Sequence, residues 1–189
     1  MKALGILAGP RKGQVTDRML DEVLRGLKER GAEVSKVYLY DLNIKPCRGC
    51  YACRGTQECV IADDFKNISK ELSDADVLAF ASPVYVGNVT SVAKAFFDRG
   101  ISMFKMTNFG PKWPHRKPRK IVLITSCFAP FPFSHLMGVI PGCFRAMKLF
   151  FGMMKGDIKT IFATGRWDFD SKKCRGILNK AYNLGLALK

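Results

Sequence analysis

The chain has 189 residues, of which 48% are hydrophobic and 25% charged, with seven cysteines and a formal net charge of +15. That balance describes one soluble globular domain over residues 1–189 with a full core, and excludes a disordered or fibrous chain. No apolar run reaches the roughly 18 to 20 residues of a membrane span, so no membrane partner is expected.

Predicted strands and helices alternate from end to end. Ala3 to Ala8 reads as a buried strand, and the N-terminus is too short for a signal peptide. A cytoplasmic location follows as an expectation, with reduced thiols and no disulfide framework. After the loop from Gly9 to Thr16 comes a helix, with Thr16 as its cap and Met19, Leu20, Val23, Leu24 and Leu27 as its apolar stripe. Gly31 fits its C-terminal stop. Glu33 to Tyr40 is the second strand, and a cysteine-rich loop at 43–62 follows it. Then come a helix from Asp63 to Leu72, a strand from Asp76 to Ala81 and a helix from Thr90 to Phe104. A Pro- and Lys-rich insert, Lys112 to Pro118, precedes the fourth strand, Ile121 to Thr125. A helix from Pro141 to Phe151, a strand from Ile158 to Ala163 and a helix from Lys172 to Leu188 complete the chain.

Five strands alternating with helices predict an α/β three-layer sandwich with a five-stranded parallel sheet. The first, third and fourth strands are nearly continuous apolar runs, as central strands are. The second and fifth alternate with polar residues, as edge strands do. Edges at two and five give the order 2-1-3-4-5, the flavodoxin-like arrangement, whose switch point lies between strands one and three. Ligands bind there, at the carboxyl ends of the strands, so the loops after strands one, three and four carry the functional expectation.

The first of these loops, Gly9-Pro10-Arg11-Lys12-Gly13-Gln14-Val15-Thr16, offers backbone amides at a helix start, a hydroxyl and two cations, which suit a phosphate. It lacks the Gly-Lys-Ser/Thr ending of a P-loop and the Gly-x-Gly-x-x-Gly dinucleotide fingerprint. The second, Ser82-Pro83-Val84-Tyr85-Val86-Gly87-Asn88-Val89, has a stiffened turn, a flat aromatic face and an amide for a ring edge. The third, Ser126 to His135, holds Phe128, Phe131 and Phe133, which are costly to expose and are expected to cover something apolar. No general acid, base or nucleophile is required by any of these patterns.

Cys47, Cys50, Cys53 and Cys59 put four thiols into thirteen residues. Short gaps and an all-thiolate set fit an iron–sulfur cluster. Zinc sites more often use two separated knuckles or include histidine, and none is nearby. Free or transiently oxidised thiols remain a third possibility. Arg48 and Arg54 sit between the ligands and would offset thiolate charge. Cys127, Cys143 and Cys174 are isolated and read as packing residues.

The first loop, the Ser-Pro-Val-Tyr-Val-Gly-Asn-Val loop and Lys94-Ala95-Phe96-Phe97-Asp98-Arg99 resemble the NADPH-dependent FMN reductase group. With the cysteine spacing and Asp63-Asp64, the sequence is similar to the iron–sulfur flavoproteins of anaerobic microbes within that group. The resemblance covers about residues 1–165. It implies FMN, with its phosphate on Pro10, Arg11, Lys12, Gln14, Val15 and Thr16 and its ring near Pro83, Val84, Tyr85, Val86, Gly87 and Asn88. It implies a 4Fe–4S cluster on Cys47, Cys50, Cys53 and Cys59, and a homodimer or homotetramer with both groups near a subunit interface. Gly13-Gln14-Val15 replaces the Ser or Asn frequent in that group.

The expected function is FMN-dependent electron transfer from ferredoxin or NAD(P)H to an acceptor. The alternative is an NAD(P)H-dependent FMN or quinone reductase without a cluster; a flavodoxin-type carrier is less consistent with a basic chain. From Arg99 to Lys155 there is no acidic residue and there are ten basic ones, a surface for an acidic redox partner. Nucleic acid is a weaker candidate, since no helix-turn-helix, finger or RNA-binding signature accompanies the charge.

Overall fold

The computed structural model describes residues 1–114, 119–165 and 172–188. In chain order its elements are β1 (Lys2–Leu7), α1 (Val15–Glu29), β2 (Glu33–Tyr38), α2 (Cys53–Thr56), α3 (Phe65–Asp74), β3 (Val77–Pro83), α4 (Ser91–Gly100), β4 (Lys105–Thr107), β5 (Gly110–Lys112), β6 (Lys120–Cys127), α5 (Phe133–Leu136), α6 (Val139–Gly152), β7 (Asp157–Thr164) and α7 (Lys172–Ala187). The main sheet has the order β2-β1-β3-β6-β7 and is parallel throughout. The expected flavodoxin-like order is therefore observed, with the polar-patterned strands at both edges.

Period-two alternation sends successive side chains of each central strand to opposite faces. Ala3, Leu7, Val77, Ala79, Ala81, Val122 and Ile124 pack under α1 and α7. Leu4, Ile6, Leu78, Phe80, Ile121 and Leu123 pack under α3, α4 and α6. That second layer is aromatic: Phe80, Phe96, Phe97, Phe150 and Phe151 form ring pairs with centroids 4.8–6.2 Å apart. Each such buried ring contributes about 1.5–3 kcal/mol from area alone.

Helix α1 begins one residue before Thr16, and its N-cap is Gln14, whose side chain caps nothing. Thr16 is thus inside the first turn and turns its hydroxyl elsewhere. Helix α4 is shorter than expected, because residues 101–103 form a 3-10 turn. Ahead of the insert, where no strand was expected, β4 and β5 pair as a small antiparallel hairpin. Trp113 beyond it is buried against Phe104 and the Arg119 guanidinium. The rest of the expected insert, residues 115–118, lies outside the described residues.

Two of the ten basic residues expected on a docking face point inward. Arg99 and Arg119 are buried, and Arg119 donates to the carbonyls of Leu72 and Ser73 at the end of α3. No described helix is long and apolar enough to cross a membrane.

Candidate functional site

The carboxyl ends of β1, β3 and β6 open into a cleft of about 300 Å³ lined by all three expected loops. From the first loop come Gly9, Pro10, Arg11, Gln14, Val15 and Thr16. From the second come Pro83, Val84 and Tyr85; from the third, Ser126, Cys127 and Phe128. The loops are pinned to one another: Ala8 N–H donates to Ala81 O at 2.7 Å, and Val84 N–H donates to Ser126 O at 2.9 Å. Across the floor, the Thr16 and Ser126 hydroxyls share a hydrogen bond at 2.6 Å.

The start of α1 faces this cleft with backbone N–H groups that have no intrahelical partner. Gly13 N–H is already taken, donating to the Asp17 carboxylate at 2.7 Å. Asp17 is itself buried and accepts from the Lys36 ammonium. Burial would lower the Lys36 pKa, but its bonds to Asp17 and Asp21 outweigh that and raise it, so the cation stays charged. Sequence patterning gave no sign of this pair, because Asp17 reads as an ordinary first-turn acid and Lys36 as an edge-strand surface residue.

Several expected site residues sit elsewhere. Lys12 pairs with Asp41 at 2.6 Å and lies over the Tyr38 ring, so it ties the first loop to the segment after β2 and does not line the cleft. Val86, Gly87 and Asn88 shape the second loop without lining the cleft. Tyr85 and Asn88 exchange two backbone hydrogen bonds, of 2.8 and 3.0 Å, and close a two-residue turn. Both of its central residues have positive φ, +49° at Val86 and +71° at Gly87. That is the type I′ pattern, which a β-branched residue adopts only under strain. The Asn88 amide oxygen accepts from Val89 N–H at 2.8 Å, so it is engaged locally. Helix α6 supports the turn from behind: Gly142 lies so close to Gly87 O that a Cβ would collide with it.

The phenylalanine loop also differs from expectation. Phe128, Phe131 and Phe133 are exposed, together with Leu136 and Met137, and Phe128 alone of the three lines the cleft. His135 contacts the Phe131 and Phe162 rings and is not part of the cleft lining. Cys143, behind the floor, shares a contact with Thr125 Oγ1 at 3.3 Å, and burial pushes its thiol up to about 11.

Of the cysteine set, Cys47 and Cys50 are exposed and Cys53 and Cys59 are half-buried, all as free thiols. Among the described residues no group of three or more His, Cys, Asp or Glu side chains is placed to hold a single metal ion. Burial raises the Cys53 thiol, with Cys59, Cys47 and Cys50 adding to the rise. The Ala52 backbone and the neighbouring Arg48 cation lower the Cys50 thiol, while Arg54 stacks on the Tyr51 ring. A four-thiolate donor set with neighbouring cations fits a cluster, whose several irons spread its ligands more widely than one zinc ion does.

The iron–sulfur flavoprotein of Methanosarcina thermophila is 39% identical over 112 residues, 59% of this chain and 58% of that protein. An iron–sulfur flavoprotein of Archaeoglobus fulgidus is 42% identical over 99 residues, 52% of this chain and 45% of its own length. The chain thus spans about half the length of the curated relatives it matches. In fold it is similar to the NAD(P)H:quinone oxidoreductase from Methanothermobacter marburgensis, with TM-score 0.76, 20% identity and coverage of 100% and 96% of the two chains. The azoreductase AzrA gives TM-score 0.77 at 17% identity, with both chains covered in full. The model of the NADPH-dependent FMN reductase family matches residues 1–118, more than half of the chain, and the chain belongs to that family.

Proposed function

We propose that this chain is an FMN-dependent oxidoreductase that also carries a 4Fe–4S cluster, passing electrons from a reduced donor to an acceptor. The observation that carries the reading is the cleft at the switch point, lined by all three loops that the strand order singles out. The family match and the iron–sulfur flavoprotein relatives support it.

FMN supplies the redox chemistry, taking two electrons as hydride and releasing them singly. The chain's residues bind and orient. Arg11, Gln14, the α1 amides and the Thr16 hydroxyl present donors and positive potential for a phosphate, with Pro10 and Val15 as the loop's apolar flanks. Pro83, Val84 and Tyr85 provide the wall for a flat ring, and Phe128 forms the opposite lip. Val86, Gly87 and Asn88 hold that wall's turn, and Lys12 fixes the first loop through Asp41. Cys47, Cys50, Cys53 and Cys59 would hold the cluster as thiolates, and it would supply one-electron chemistry.

NAD(P)H or ferredoxin is the proposed donor. The family favours the nicotinamide, and the net positive charge favours an acidic protein. The exposed apolar lip formed by Phe128, Phe131, Phe133, Leu136 and Met137 supports assembly into a homodimer or homotetramer. A reducing, cytoplasmic setting is the proposed location, since it keeps the four closely spaced cysteines available as thiolates for a cluster.

The test is the absorbance spectrum, iron and sulfide content of anaerobically purified protein. Flavin bands with a broad shoulder bleached by dithionite, and about four irons per chain, are the expected result. Flavin without iron after reconstitution leaves an NAD(P)H-dependent FMN or quinone reductase. Protein that binds no FMN refutes the redox reading altogether.

A further inference from the structure

The cysteine loop is closed at its neck by one buried side chain on another element. Arg99, at the C-terminal end of α4, spends all five of its N–H donors on the segment 45–63. Its Nε donates to Cys59 Sγ at 3.1 Å. Nη1 donates to Lys45 O at 2.8 Å and to Asp63 Oδ2 at 2.6 Å, and Nη2 donates to Ile61 O at 3.2 Å and Asp63 Oδ1 at 2.9 Å. Asp63 completes the closure by accepting from Lys45 N–H at 2.9 Å and Phe65 N–H at 3.1 Å. One step outward, Asn43 N–H donates to the Asp64 carboxylate at 2.7 Å. Both strands of the neck, before Cys47 and after Cys59, therefore meet at one guanidinium.

We infer that Arg99 is the positioning residue of the cysteine set: it fixes Cys59 in advance and brings the other three thiols within reach of it. The inference rests on the reading of these cysteines as ligands of one cluster. Cys59 packs against the core, whereas Cys47 and Cys50 are exposed. Two ligands are thus exposed on an outer arm, Cys53 is half-buried, and Cys59 is anchored on the core. Arg99 is suited to this task because its planar fork can meet five acceptors at once, which a lysine ammonium with three donors cannot. A hydrogen bond to a ligating sulfur is also one of the levers by which a protein sets cluster potential.

The same helix links the two proposed redox sites. Thr90 caps α4, accepting from Ala93 N–H, and donates to Ala8 O at the end of β1, beside the flavin cleft. From Thr90 to Arg99 is about 14 Å at the rise of an α-helix. Helix α4 therefore sets the spacing of cleft and cysteine loop, with a separate contact at each end.

The test compares wild type with Arg99→Lys in reduced, cluster-free protein and after anaerobic reconstitution with iron and sulfide. Compared at matched thiolate fraction, opening of the neck predicts about a tenfold faster alkylation of half-buried Cys59 by iodoacetamide, read by peptide mass spectrometry. Bound FMN per chain should be unchanged, because Arg99 does not line the cleft, while bound iron falls. In the remaining clusters the reduction potential should drop. In wild type, hydrogen exchange should show Lys45 and Phe65 amides protected like the central strands, and residues 47–57 exchanging faster; this needs no variant to fold. Unchanged Cys59 alkylation, an unprotected Lys45 amide, or parallel loss of FMN and iron overturns the inference, the last by showing a residue of the fold alone. Wild type that takes up no iron refutes the cluster reading instead, and the clamp is then judged on alkylation and exchange.

Discussion

The Arg99 guanidinium grips the Asp63 carboxylate through both terminal nitrogens, at 2.6 and 2.9 Å, and neither side chain is exposed to solvent. Removing one partner of such a pair leaves the other charge buried and costs about 3–5 kcal/mol. Burial would raise the Asp63 carboxyl, but Arg99 and the two backbone N–H groups outweigh it and hold it below the usual range. A depressed carboxyl stabilises the fold above its unfolded pKa of about 3.9 and loses that contribution as pH falls through the folded value. Asp63→Asn should therefore lower neutral-pH stability in urea melts and flatten the decline of stability in acid. An acid slope equal to that of wild type would count against the pair.

The shared hydroxyl pair at the cleft floor gives a binding prediction. Thr16→Val removes the 2.6 Å link to Ser126 and one donor toward a phosphate. FMN affinity should fall about tenfold, worth about 1.4 kcal/mol, with little change in Tm. Fluorescence titration with FMN reads this directly, and an unchanged Kd would move the phosphate away from Thr16.

Val86 occupies the first position of a turn that favours Asn-Gly. Val86→Asn should relieve backbone strain and stabilise the protein by about 1 kcal/mol, raising Tm by about 2–4 °C in calorimetry. A lower Tm would mean that the valine makes a contact worth more than the strain.

Gly142→Ala should do the reverse. The added methyl meets the backbone carbonyl of Gly87, which has no side chain to move aside. The turn 85–88 must shift away from α6, so both stability and FMN affinity should fall, by about 1–3 kcal/mol for the former. Equal FMN binding in the variant would show that the turn does not shape the cleft.

Cys143 offers a check on the interior. It is fully buried, with its thiol pushed up to about 11. In native, cluster-free protein at pH 8 it should resist iodoacetamide while exposed Cys47 is modified, and it should react only on unfolding. Mass spectrometry of the native protein separates the two sites.

Much of this molecule is written locally. Apolar runs in β1, β3 and β6 and alternation in β2 and β7 set the strand order, because a strand buried on both faces holds few polar residues, and those only where a partner accepts or donates a hydrogen bond. That order in turn designates the three loops that line the cleft. The four-cysteine spacing is equally local. What the sequence could not assign were partners far apart along the chain. Lys12 reads as a phosphate ligand until Asp41 comes within 2.6 Å of it, and Arg99 reads as part of a basic face until it is buried in the neck of the cysteine loop. Charge and hydrogen-bonding capacity are properties of a residue, but what satisfies them depends on which segments the packed sheet and helices bring together. Tertiary structure alone carried Arg99 into the interior and set Lys12 beside Asp41.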